Sequence, residues 1–338
     1  MKLIYPEYYE KFQCIAGACP DTCCQEWDVE VDDESAGFYR GLQGPLGEKV
    51  RRFLYEEDGR TYLAFPEGKC PMQRPDGLCG IQAELGPQAL CQVCQKFPRL
   101  TQDYGEFVEL GLEMSCPEAA RIILTEDGIR LTERETEGGE PGEYDHEVME
   151  ILRRTRPRML ALLEDGRYPV NERLALALLY GYQVQGEVDG GEEMPFDPET
   201  ALGTLRNIAG EGDCRAVTDF FLELEILTDR WRTMLETSRE TPLWFERLSR
   251  LACYGIYRYY YQAVSDFDVA GRVKLVVLSC ILTAVLAEDT PDSQIGTAHL
   301  YSKEIENDAE NIDAILDGAY TAAALSDRNL LGILLNRK

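Results

Sequence analysis

Cys14-Ile15-Ala16-Gly17-Ala18-Cys19-Pro20-Asp21-Thr22-Cys23-Cys24 decides how this chain of 338 residues is read, because nine of its twelve cysteines fall within the first 116 positions. Cys70-x8-Cys79-x11-Cys91-x2-Cys94 and Cys116 complete the nine. In a secreted chain such density reads as disulfides. The start Met1-Lys2-Leu3-Ile4-Tyr5-Pro6 has neither an apolar run nor a basic presequence, so a cytoplasmic location is expected, and there clustered thiols more often ligate metal.

A thiolate site needs three or four sulfurs at one point, and short separations let single turns deliver several of them at low closure cost. Gly17, Pro20, Gly68, Pro71, Gly77 and Gly80 suit those turns. Cys14, Cys19, Cys23, Cys24, Cys70, Cys79, Cys91 and Cys94 are therefore the candidate metal ligands. The chain's two histidines, His146 and His299, lie outside this region. A mixed Cys/His finger is thus excluded, and both a four-thiolate zinc site and a four-iron cluster stay open. The radical-enzyme spacing C-x3-C-x2-C is absent, since Cys19-x3-Cys23 is followed at once by Cys24. Cys214, Cys253 and Cys280 stand among helical apolar residues and read as buried packing cysteines.

Outward from the cysteines, Trp27, Val29 and Val31, and again Val108, Leu110, Leu112 and Met114, alternate with polar residues as half-buried strands do. Thr61 to Phe65 is a weaker strand signal. Ser115-Cys116-Pro117-Glu118 has the form of a capping box, with Ser115 as N-cap and Cys116 in the first turn, where the helix dipole favours a thiolate. Packing or reactivity, rather than ligation, is expected of Cys116. Thr132 to Glu147 holds seven acidic residues, three glycines and a proline, the composition of a linker.

Beyond it, His146–Leu163, Asn171–Gln185, Pro198–Ile208, Arg215–Glu236, Pro242–Ser265, Ala270–Glu288 and Tyr301–Leu335 carry apolar residues at spacings of three and four. The expected fold is mainly α: a small cysteine-rich α+β metal-binding domain over 1–131, an acidic linker over 132–147 and an all-helical domain over 148–338. The longest apolar runs, Val273 to Leu278 and Ile281 to Ala287, fall short of the about 20 residues of a membrane span. A net charge of -27, with no basic stripe, argues against nucleic acid as a partner.

Several segments together resemble the bacterial flagellin lysine-N-methylase family. They are Tyr8-Tyr9-Glu10-Lys11-Phe12-Gln13-Cys14, Cys19-Pro20-Asp21-Thr22-Cys23-Cys24-Gln25-Glu26-Trp27, Cys91-x2-Cys94-x3-Pro98-Arg99 and Leu112-Glu113-Met114-Ser115-Cys116-Pro117-Glu118-Ala119-Ala120-Arg121. The resemblance covers residues 1 to about 126, and its cysteine-rich start is similar to iron- or zinc-chelating domains. It implies methylation of flagellin lysines, with S-adenosylmethionine as donor and an iron-sulfur cluster, of the 4Fe-4S type, held by the cysteines; zinc is the other metal to weigh. An iron-sulfur redox protein and a zinc-braced helical interaction protein are the alternative functions.

The residues themselves show no dinucleotide-type donor motif. Gly210-Glu211-Gly212 lacks a preceding strand and reads as an ordinary loop. Tyr254, Tyr257, Tyr259, Tyr260 and Tyr261 could line a slot for a lysine, but on one helix they spread over several faces and read as core. His146 and His299 have no neighbouring nucleophile and read as surface or capping residues.

Overall fold

The computed structural model describes residues 1–25 and 29–336. Trp27, expected in a strand, lies outside the described residues. Among these, the strands are β1 (Lys2–Pro6), β2 (Val29–Val31), β3 (Leu54–Glu57), β4 (Arg60–Leu63), β5 (Arg99–Asp103), β6 (Phe107–Leu112) and β7 (Leu131–Glu135). One sheet has the order β5-β6-β1-β7, with β1 parallel to β6 and antiparallel to β7; the other is β2-β4-β3.

Short helices α1 (Asp33–Gly41), α2 (Gly44–Phe53), α3 (Gly80–Leu85), α4 (Gln92–Lys96) and α5 (Pro117–Thr125) accompany the strands. The remainder is helical: α6 (His146–Leu163), α7 (Val170–Val188), α8 (Pro198–Ile208), α9 (Cys214–Leu222), α10 (Asp229–Glu236), α11 (Arg247–Tyr259), α12 (Ala263–Asp266), α13 (Val269–Leu286), α14 (Pro291–Tyr301), α15 (Ala309–Thr321) and α16 (Asp327–Leu335). The mainly helical architecture with strands confined to the N-terminal part agrees with the expectation.

The apolar surface divides differently from the acidic boundary. Val31, Tyr39, Val50, Leu63, Met72 and Cys91 belong to a small core of their own. Tyr8, Phe107, Leu112 and the apolar side of α5 instead join the large core of α6, α7, α11 and α13. The four-stranded sheet is thus a layer of the helical body, and residues around 29 to 91 form a satellite unit. The acidic stretch also starts as structure rather than linker, because Leu131–Glu135 pairs with β1 along its whole length.

Three further expectations are corrected. β6 is buried on both faces rather than one, since Glu109, 2% exposed, meets Arg156 instead of water. Cys116, not Ser115, is the N-cap of α5, because Pro117 takes the first helical position and the Ser115 hydroxyl donates to Glu113. The Arg215–Glu236 and Pro242–Ser265 helices are each broken, as is Tyr301–Leu335. By length and apolarity α13 could cross a membrane, yet 89% of it is buried inside the protein, as befits the central helix of the core.

Candidate metal centre

Each candidate cysteine is placed by a turn or a helix end. Cys14 and Cys19 flank a single 3-10 turn, Ala16–Ala18, in which the Ala16 amide donates to Cys14 Sγ at 3.4 Å and Cys19 Sγ donates to the Asp21 carbonyl at 3.1 Å. The Cys70 amide donates to the Cys24 carbonyl at 2.9 Å, and Gln25 bridges to Lys69, so two segments 46 residues apart run side by side. Cys79 precedes α3, Cys91 precedes α4, and Cys94 lies within α4. Asp32 fixes this last element: one carboxylate oxygen caps α1 through Ser35, and the other accepts from the Gln92 amide at 2.9 Å.

The sulfurs meet in pairs. Cys24 accepts hydrogen bonds from the Cys23 and Cys70 thiols, which hold its own pKa well below the thiol range and push those of Cys23 and Cys70 up. Cys91 accepts from Cys94, which lowers it to about 7. Cys94 in turn feels Cys24 and Cys23, and Cys79 feels Cys24 and Cys91. Cys14 acts on Cys19, Cys23 and Cys116, and Cys116 in turn on Cys23. Each of the eight candidates and Cys116 therefore lies near at least one other of the nine. None is in a disulfide. Among the described residues, no three donors close on a common point at metal-bonding distance.

This donor set suits a thiophilic metal. Protons shared between adjacent sulfurs are those a cation displaces, since ligation requires thiolates. Of the two expectations for Cys116, packing is the one its surroundings fit: it is buried, and burial pushes its thiol up to about 11 although the Ala119 and Glu118 amides pull the other way.

The described residues of the four sequence segments quoted above assemble around these cysteines. The Arg99 guanidinium lies over the rings of Tyr9 and Phe12, at 5.9 and 5.2 Å, tying the segment after Cys94 to the one before Cys14. The Glu113 amide donates to the Pro98 carbonyl at 2.8 Å. Within α5, Arg121 donates to both oxygens of Glu118, and Ala119 and Ala120 are fully buried.

The helical body reaches the same place through residues that sequence reading passed over. His299, expected to be a surface or capping residue, is buried; its Nε2 lies 2.8 Å from Asp21 Oδ2 and its Nδ1 2.9 Å from the Met114 carbonyl. Both of these partners are acceptors. Lys303, also buried, donates to both Asp21 oxygens at 3.2 Å. Burial alone would raise Asp21, but the hydrogen bond from His299 and the charge of Lys303 hold its carboxyl at about 2. A π-turn, Ser302–Glu306, delivers Lys303 here and sends Glu306 inward to Arg258 and Tyr254. Asp21 stands in the quoted cysteine motif, but nothing in the sequence links it to residues about 280 positions away.

The tyrosine run is core, as expected. Tyr254, Tyr257, Tyr259, Tyr260 and Tyr261 are all buried, with Tyr257 donating to the Ile4 and Leu110 carbonyls. Cys214, Cys253 and Cys280 are buried, and the Gly210–Gly212 loop packs against the backbone of α16. His146 is exposed at the start of α6.

Over 137 residues the chain is 29% identical to a protein named Lysine-N-methylase from Salmonella typhimurium, a match of 38% of this chain and 34% of that one. The resemblance to the lysine-N-methylases is borne out. A Lysine-N-methylase from Salmonella choleraesuis matches to the same extent, and the Flagellar biosynthetic protein FliU of Salmonella muenchen is 29% identical over 139 residues, 82% of its length. The chain spans about a third of the length of the two lysine-N-methylases. No family model and no solved structure matches it.

Proposed function

We propose that this protein transfers methyl groups from S-adenosylmethionine to lysine side chains of flagellin, and that its clustered cysteines hold an iron-sulfur cluster, or zinc in its place. The observation that carries the reading is the assembly at one site of the described residues of the segments that resemble the lysine-N-methylases. The names of the similar Salmonella proteins support the reaction and the flagellar substrate. In the transfer, the neutral lysine amine forms the new N–C bond as the donor's S–C bond breaks; sulfur keeps that electron pair, and the amine loses its proton.

Cys23, Cys24, Cys70, Cys79, Cys91 and Cys94, with Cys14 and Cys19 beside them, are the residues that would hold the metal. A bound cluster would supply either redox chemistry or a Lewis-acidic anchor. The chain's own contribution is positional: Asp21, gripped by His299 and Lys303, seats the Cys19–Cys23 loop on the helical body.

Incubation with the organism's own flagellin and S-adenosylmethionine, followed by mass spectrometry of flagellin lysines, tests the reaction. Methylated lysines are expected from the metal-loaded protein, and none from Cys23→Ala or Cys94→Ala protein. Absence of methylation by well-metallated wild type would move the assignment to an iron-sulfur redox protein or a zinc-braced interaction protein. Equal methylation by the metal-free variants would remove the metal from the reaction.

A further inference from the structure

A second site lies on the helical body, where the connection leaving α7 folds back over α6. A cavity of about 440 Å³ opens there, and no cysteine lines it. Its size lies within the roughly 300–1,000 Å³ of small-molecule sites. Arg154 and Arg158, one turn apart on α6, both reach Glu193 of that connection: Arg154 Nη1 is 2.7 Å from Glu193 Oε2, and Arg158 Nη1 is 2.5 Å from Oε1. Two like charges at i and i+4 repel along a helix, so the pair calls for an anion, and guanidiniums match the two oxygens of a carboxylate. Arg154 also pairs with Glu187 of α7, and Glu193 supplies the second carboxylate from an exposed segment in which the neighbouring Met194 is 61% exposed.

The same cavity holds a buried acceptor that lacks a donor. Gln183 lines the cavity, and its side-chain oxygen is buried without a hydrogen-bond partner. Phe196 and Tyr180, which also line the cavity, lie edge-on with ring centroids 5.1 Å apart. An acceptor left unpaired in such a place costs free energy that a bound N–H would recover.

We infer that this cavity binds a small molecule carrying a free α-amino carboxylate on an aromatic-bearing body, its carboxylate replacing Glu193 between Arg154 and Arg158 and its ammonium donating to Gln183. Two sources share this chemistry, S-adenosylmethionine and a free aromatic amino acid. The inference stands on the cavity alone and does not rest on the methyltransferase reading.

Isothermal titration of the full-length chain with S-adenosylmethionine, with phenylalanine and with phenylalanine methyl ester tests it. At least one of the first two binds, and binding by S-adenosylmethionine alone identifies the cavity with the methyl donor. Glu193→Gln removes the competing charge and tightens binding about tenfold, whereas Arg158→Ala and Gln183→Leu each weaken it by about tenfold or more. Arg158 is more than half exposed, so its removal leaves the fold intact, as a thermal melt verifies. The inference fails if neither acid binds wild type or Glu193→Gln at millimolar concentration. It fails equally if the ester binds as well as phenylalanine, or if Arg158→Ala and Gln183→Leu leave affinity unchanged.

Discussion

Glu109 sits on a strand whose alternation marks it for solvent, yet Arg156 donates to both of its oxygens, at 2.8 and 2.5 Å, inside the protein. The guanidinium also lies 3.5 Å from the centre of the Tyr261 ring. Breaking a buried pair by removing one partner leaves an uncompensated charge, at a cost of about 3–5 kcal/mol, while replacing both partners costs far less. Arg156→Met should therefore lower stability by about that amount in urea denaturation, and Glu109→Leu with Arg156→Met should recover much of it. A double variant no more stable than the single would show that the ring contact, not the ion pair, dominates. Glu109 was misread because local pattern records polarity, whereas burial here depends on an arginine 47 positions later. The grip of His299 and Lys303 on Asp21 was illegible for the same reason.

The helices α6 and α8 have the very limits that apolar spacing indicates, and Asp145 and Asp197 cap them by accepting from first-turn amides. The break between α9 and α10 is held from a distance as well as by a local cap. Glu304, from the π-turn, accepts from the Leu227 amide at 2.8 Å and from the Thr228 hydroxyl, and Thr228 then caps α10. Burial pushes the Glu304 carboxyl above its ordinary 4.5 despite these hydrogen bonds. A carboxyl whose folded pKa is raised binds its proton more tightly in the native state. Its favourable contribution is full below the unfolded value and is lost as pH rises through the folded one. Glu304→Gln, always neutral, should accordingly lose less stability than wild type as pH rises above 4.5. Melting temperatures of the two proteins across that range provide the check, and parallel profiles would contradict it.

At the scale of the whole molecule there are two cores, one shared by the four-stranded sheet and the helices, the other small and including Cys70 and Cys91. The cysteine cluster and the helical class were legible because spacing and periodicity are local properties. The partition was not, because the acidic composition of residues 132–147 conceals that Leu131–Glu135 completes a sheet with the N-terminal strand. Thiolate ligation contributes about 10 kcal/mol or more in small metal-dependent domains, comparable to the whole stability of a domain. Demetallation by strong chelation should then expose residues 14–99 to limited proteolysis while the helical body stays protected. Uniform protection of the metal-free protein would mean that the small core stands by itself.

X-ray absorption at the metal edge of anaerobically purified protein addresses the cysteine centre most directly. Sulfur-only coordination is expected, lost together with the metal in Cys24→Ser and Cys91→Ser variants. Nitrogen or oxygen coordination, or protein that carries no stoichiometric metal while its thiols remain open to alkylation, would contradict a thiolate metal centre in this fold.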